Sequence, residues 1–143
     1  MSKIQYLAAG IGPANSDRVE TQIFKAGGAI SAADWVALDN SQTAADKALY
    51  VVEASGSLGV VQPLVVGVSL NTVSAGERVE VVVRGYVASA SISGSCSAGS
   101  SLVVDATDGK ADLYAGSDTT SPCGVCLGTV TAEIAEAYVI RKF

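Results

Sequence analysis

The clearest pattern of apolar and polar positions is a two-residue alternation in GERVEVVVRGYV at 76–87. Arg78 and Glu80 lie on one side of this alternation, and Val79 and Val81 lie on the other. Because successive side chains of a strand point to opposite faces, the pattern predicts a strand with one buried face.

A second informative stretch, residues 54–76, carries no charged residue. Several glycines, together with Pro63 and Asn71, interrupt it. Such interruptions are unfavourable in a membrane-spanning helix, so we interpret the stretch as buried strands and expect no membrane association.

Comparison of the chain with itself reveals an internal repeat. ISAADWVALD at 30–39 aligns with CSAGSSLVVD at 96–105. VGVSLNTVSAGERVEVVVR at 66–84 aligns with CGVCLGTVTAEIAEAYVIR at 123–141. Each copy predicts a turn, a strand, a variable connection, a G-V-x-L strand, a turn at Ser/Thr-Ala and a last strand that ends in arginine.

The repeat predicts the fold class and the domain organisation. We expect a mainly β chain, with a small β-barrel or sandwich body at 27–143 built from two similar halves, about 27–86 and 87–143. TAEIAEAYVIR, the end of the second copy, has the composition of a short helix, but its alignment with a strand of the first half favours a strand. QTAADKALY at 42–50 predicts a helical turn inside the longer insertion of the first half.

Composition narrows the possible functions. Only 16% of the residues are charged, against roughly 25% in typical soluble domains, and the net charge is −5. This balance repels polyanions, so we expect no nucleic-acid partner. The chain has no histidine, the commonest general base and a common zinc ligand, so we predict no enzymatic activity and no cofactor.

Cys123 and Cys126 form a C-x-x-C spacing that suits a dithiol or half of a zinc site. In the repeat, however, they align with Val66 and Ser69, and the third cysteine, Cys96, aligns with an isoleucine. Residues three apart in a strand point to opposite faces, which is poor geometry for sharing one metal or closing one disulfide. We therefore predict small buried or half-buried cysteines rather than a metal or redox site.

Residues 1–26 lie outside the aligned copies and are predicted to form an extended N-terminal arm. GIGPANS at 10–16 contains residues that stop helices, yet the segment carries apolar side chains that it is too short to bury against itself. We expect the arm to pack on another subunit, and the single tryptophan to cap the core or an interface. The predicted interface consists of Ile4, Tyr6, Leu7, Ile11, Phe24 and Trp35.

The stretches VSLNTVSAGERVEVVVRGYV and SAGSSLVVDATDGKA, within about 27–141, resemble bacteriophage capsid decoration, or cement, proteins. This resemblance implies a small β-barrel or β-tulip body that binds the outer surface of a phage head. It also implies a homotrimer, the major capsid protein as partner, and a location on the virion after synthesis in the host cytoplasm.

The hypothesis from sequence is therefore a structural protein that stabilises the capsid lattice. The alternative is a ligand- or glycan-binding β module on a virion or cell surface. Glycan binding usually needs aromatic side chains gathered on one face, whereas the aromatic residues here make up only 6% and are scattered.

Overall fold

The computed structural model describes residues 19–55, 64–104, 109–114 and 122–140. One 3₁₀ helix, Ala44–Ala48, lies in the predicted insertion. The strands are β1 (Val19–Ala26), β2 (Trp35–Leu38), β3 (Tyr50–Glu53), β4 (Val65–Ser69), β5 (Arg78–Ser91), β6 (Ser101–Val104), β7 (Ala111–Leu113), β8 (Gly124–Cys126) and β9 (Ile134–Val139).

The first half closes into a barrel. The order along the nine-stranded sheet is β1-β3-β2-β4-β5-β9-β8-β6-β7, and β1 also pairs with β5. The pairing of β1 with β3 is parallel and that with β5 is antiparallel, so β1 joins both ends of the series β3-β2-β4-β5 into a ring. The predicted mainly β fold with a small barrel is confirmed, and the C-terminal TAEIAEAYVIR segment contains a strand.

The second half repeats the strand order of the first. The series β3-β2-β4-β5 is followed in the sheet by β9-β8-β6-β7. Read in reverse, the second series matches the first: β7 corresponds to β3, β6 to β2, β8 to β4 and β9 to β5. Strand β5 is 14 residues long, and its later part, from Gly85, pairs antiparallel with β9. Just after β5, Ile92 bridges Ala111 of β7 in parallel. Residues 85–92 therefore take in the second half the place that β1 takes in the first.

Backbone hydrogen bonds show that this equivalence extends to individual residues. The Ala26 N–H donates to the Glu77 carbonyl at 2.8 Å, and the Ile92 N–H donates to the Glu133 carbonyl at 2.9 Å. The Ala33 N–H donates to the Ser69 carbonyl as the Gly99 N–H donates to the Cys126 carbonyl. In the same way, the Ser69 N–H donates to the Asp34 carbonyl and the Cys126 N–H to the Ser100 carbonyl.

The last part of the predicted N-terminal arm belongs to the barrel. Residues 19–26 form β1, whose backbone pairs with β5 from Val19 to Lys25, so they are the first strand of the repeat rather than an arm. The rest of the predicted arm, residues 1–18, lies outside the described residues.

The alignment of the last strands is shifted by one residue from the sequence alignment. The Leu70 N–H donates to the Glu80 carbonyl and the Leu127 N–H to the Glu136 carbonyl, each at 2.9 Å. Glu136 is thus the counterpart of Glu80, and Arg84 corresponds to residue 140 instead of 141. The shift arises because the turn in the first half, SAGE, has one residue more than TAE in the second.

The two halves have equivalent cores that are filled differently. Buried side chains inside the first barrel include Phe24, Val51, Val79 and Val81. Their buried counterparts in the second half are, in the same order, Ala90, Ala111, Ala135 and Ala137. At these four positions the side chains of the second half fill much less volume than those of the first barrel.

Trp35 of the first half supplies the missing volume. Its side chain is fully buried in one cluster with the core alanines of the second half. A Cβ at Gly124 would lie 2.8 Å from the Trp35 Cη2 atom, so the glycine leaves room for the indole. The indole Nε1–H donates to the carbonyl of Ser91 at 3.0 Å. The halves are thus joined by β5 and by a tryptophan that reaches from one into the core of the other.

Candidate interaction surface

Two of the predicted interface residues belong to the core of the chain. Phe24 lies inside the first barrel, and Trp35 is buried between the halves. Neither side chain offers a surface to a partner, because each is used to fill the fold; this replaces the interface role predicted for them. The remaining predicted residues lie outside the described part of the chain, and they are Ile4, Tyr6, Leu7 and Ile11.

The cysteines occupy the positions that their counterparts occupy in the first half. The buried Cys126 thiol donates to the Gly128 carbonyl at 3.0 Å, as the Ser69 hydroxyl donates to the Asn71 carbonyl at 2.7 Å. The buried Cys123 thiol donates to the carbonyl of Leu102 at 3.4 Å, on a different strand. The two sulfurs of the C-x-x-C spacing therefore have different hydrogen-bond partners.

The Cys96 thiol lies beside that of Cys126. Burial raises the pKa of the Cys96 thiol to about 12, and a hydrogen bond with the Cys126 thiol and the nearby charge of Asp112 act in the same direction. A thiol with this pKa is almost entirely protonated at neutral pH and is a poor nucleophile. Across the described ranges, no group of three or more histidine, cysteine or acidic side chains is placed to hold a metal ion.

The outer face of the second half is more accessible than the equivalent face of the first. In the first half, Trp35, Val68 and Val82 pair side by side across β2, β4 and β5, and all three are buried. In the second half, the corresponding cross-strand row is half-buried and consists of Ser101, Val125 and Tyr138.

Tyr86 extends this row on β5, where it pairs with Tyr138. Its hydroxyl donates to the Glu136 carboxylate at 2.6 Å, while the ring remains exposed. This hydrogen bond to a carboxylate is the main cause that raises the pKa of Tyr86. Tyr86, Tyr138 and Val125 form a partly apolar strip, the outer row of the second half, and sequence reasoning did not identify it.

Two leucines form a second accessible feature that is present in both halves. Leu70 directly follows β4 and Leu127 directly follows β8, and their side chains are 43% and 41% exposed. The backbone N–H of Leu70 donates to the Glu80 carbonyl, and that of Leu127 donates to the equivalent Glu136 carbonyl. The signal was present in the sequence as the repeated G-V-x-L, but periodicity alone does not tell whether that leucine faces the core or solvent.

Two carboxyl groups near the first barrel have pKa values that are shifted in opposite directions. Burial raises the pKa of Asp34 above its ordinary value, although the Ser31 N–H, the Glu53 side chain and the charge of Lys110 act against this. Burial also works to raise the pKa of Asp39, but there the hydrogen bonds donated by Ser41 and Gln42 outweigh burial and lower it. Both carboxylates accept hydrogen bonds in the turns before and after β2.

Comparisons with known proteins find similarity at the level of fold. The sequence matches no protein-family model and no curated protein. Among solved structures, the chain is similar to the head fiber gp8.5 N base of bacteriophage phi29, with a TM-score of 0.57 and 13% sequence identity. The match covers 86% of this chain and 95% of that chain. At this identity the likeness establishes a shared fold.

A search of the described residues for a helix long and apolar enough to cross a membrane finds none.

Proposed function

We propose that this chain is a non-enzymatic structural protein of a phage virion that binds the outer surface of the head through the major capsid protein. The observation that carries the proposal is the fold shared with a phage head fiber base over 86% of this chain. The resemblance to capsid decoration proteins rests on sequence stretches rather than on the fold, and it supports the same location on the head.

The surface of the body is compatible with this role. Accessible apolar side chains, among them Tyr86, Leu70 and Leu127, lie on or beside rigid strands. Interfaces made from rigid elements lose little conformational entropy on binding. A low content of charged residues also means that few charges must be desolvated when the surface is covered.

The finer proposal is that the protein acts as a homotrimer that stabilises the capsid lattice. Light scattering of the purified protein measures its mass directly, and a trimer corresponds to three times 14.4 kDa. A monomer at every accessible concentration would contradict the trimer and leave attachment to the head as the proposal.

Attachment is tested by incubating the purified protein with expanded heads of the phage that encodes it and sedimenting the heads. We expect the protein to sediment with the heads in a saturable amount, and antibodies against it to label the outside of intact virions. Labelling confined to tails, or the absence of binding to heads that lack the protein, would overturn the proposal.

A further inference from the structure

The comparison of the two halves separates positions that the fold itself constrains from positions that it does not. Several buried positions have diverged, as shown by Phe24 against Ala90 and Val79 against Ala135, while others, such as Val83 and Val139, are the same. Leu70 and Leu127, in contrast, are the same residue at equivalent positions although both are substantially exposed. More than two fifths of each side chain stays accessible after folding, so both halves retain apolar surface that the fold itself does not bury.

Two other residues that are the same in both halves, Thr72 and Glu77, have structural roles within the fold. The Thr72 hydroxyl accepts a hydrogen bond from the backbone N–H of Ala32 at 3.0 Å. The Glu77 carboxylate accepts one from the backbone N–H of Ser74 at 2.6 Å, which holds the turn before β5. The two leucines contribute only backbone groups to comparable bonds, and a backbone N–H is supplied by any residue except proline.

We propose that Leu70 and Leu127 are two equivalent anchors that insert into two copies of the same apolar socket on a partner protein. The inference rests on the proposed function, in which the partner is a lattice of identical subunits. An internal duplication presents the same anchor twice on one rigid body, which matches a partner that presents the same socket twice.

The charges beside the anchors indicate what borders each socket. Leu70 is hydrogen-bonded to the backbone of Glu80, and Leu127 to that of Glu136, and both glutamate side chains are exposed. Each anchor thus has a carboxylate on the adjacent strand. We infer that each socket is flanked by a lysine or arginine, so binding should weaken as salt is raised, because exposed ion pairs are screened.

The test compares the binding of four variants to heads with that of the wild type. The variants are Leu70→Gln, Leu127→Gln, the double variant and, as control, Leu49→Gln. Leu49 is 41% exposed, like the anchors, but the position that corresponds to it before β7 is a glycine, Gly109. All four are expected to keep the wild-type fold, with a small and similar loss of thermal stability for each substitution, since the three leucines are similarly exposed.

We expect each anchor variant to weaken binding by about tenfold or more, to a similar extent, because each removes one buried leucine contact. In the double variant the losses should multiply, since the two contacts act together on one rigid body. The control should bind like the wild type.

The outcomes separate this inference from the proposed function. If the wild type binds heads and the anchor variants bind equally well, or only one of them is weakened, the paired anchors are refuted while attachment to the head stands. If the wild type itself does not bind heads, the proposed function fails, and the inference that rests on it fails as well.

Discussion

Replacing Trp35 by alanine tests how the two halves are joined. The side chain is fully buried and its Nε1–H donates to the Ser91 carbonyl. Burying about 200 Å² of an aromatic side chain at about 25 cal/mol per Å² contributes about 5 kcal/mol. Alanine retains a small part of this, so we expect the free energy of unfolding to fall by about 4 kcal/mol, which lies in the range of large-to-small core substitutions.

The assay is urea unfolding followed by circular dichroism, because the variant lacks the only tryptophan of the chain and with it the natural fluorescent probe. The effect should be concentrated in the second half, whose core the indole fills. Amide hydrogen exchange should therefore accelerate more in β8 and β9 than in β1 of the first barrel.

A second substitution tests the reason for the small side chains in that core. Ala137 is the buried counterpart of Val81. In the wild type, Ala137→Val should destabilise by about 1–3 kcal/mol through overpacking against the indole. In the Trp35→Ala background the same change should recover about 1 kcal/mol, because the added methyl groups enter the vacated space. If Ala137→Val destabilised both backgrounds equally, Trp35 would not be what the small core accommodates.

Three further predictions concern single positions. A Cβ at Gly67 would overlap the Val82 carbonyl oxygen, so Gly67→Ala should lower the free energy of unfolding in urea by about 3 kcal/mol or more. The control Gly28→Ala, which has open space around the Cβ, should change it by less than about 1 kcal/mol. Equal effects would refute the close approach. The pKa of Asp39 is lowered, so Asp39→Ala should reduce the free energy of unfolding by about 1–2 kcal/mol at pH 7. The difference in stability from the wild type should shrink as the pH falls below 3.8, the pKa of the unfolded carboxyl. A difference that stays constant with pH would contradict the hydrogen-bonded carboxylate. The pKa of Asp34 is raised, so its ionised form opposes folding. Asp34→Asn should therefore be more stable than the wild type at pH 7, and this advantage should decline as acid protonates the wild-type carboxyl. A loss of stability at pH 7 would count against burial as the main cause of the raised pKa.

Much of the fold could be predicted from the sequence because the repeated turns keep recognisable residues. The G-V-x-L phrase and the Ser/Thr-Ala turns are retained in both halves, since each turn requires particular small or hydrogen-bonding residues. They were sufficient to predict β2, β4 and β5 with their counterparts β6, β8 and β9, and to align Cys126 with a serine, whereas β3 and β7 lie in the variable connections and were not predicted.

The equivalence of β1 with residues 85–92 was missed for a physical reason. Phe24 fills the first barrel, but Ala90 must leave space for an indole from the other half, so the two strands have little residue identity. The only local signals were Gly28 with Gly94 and the Ser-Ala pairs that follow each glycine. Sequence reasoning left open whether Trp35 caps the core or an interface and placed it among the interface residues, because periodicity in a four-residue strand does not indicate which side of a duplicated body is covered.

The candidate surface was less predictable than the fold. The interface predicted from sequence relied on apolar residues of the N-terminal segment, whereas the described surface presents Tyr86 and the two exposed leucines. Whether a leucine that follows a strand is exposed depends on how the neighbouring turn packs, and this depends on contacts distant in sequence.

The most direct test of the account is a cryo-electron microscopy reconstruction of phage heads with and without the protein. We predict additional density on the outer surface of the shell, into which the barrel and the second half joined to it fit, with the turns at Leu70 and Leu127 against equivalent sites of the lattice. Heads with identical outer surfaces in both preparations, or density found only on the tail or inside the shell, would contradict the account.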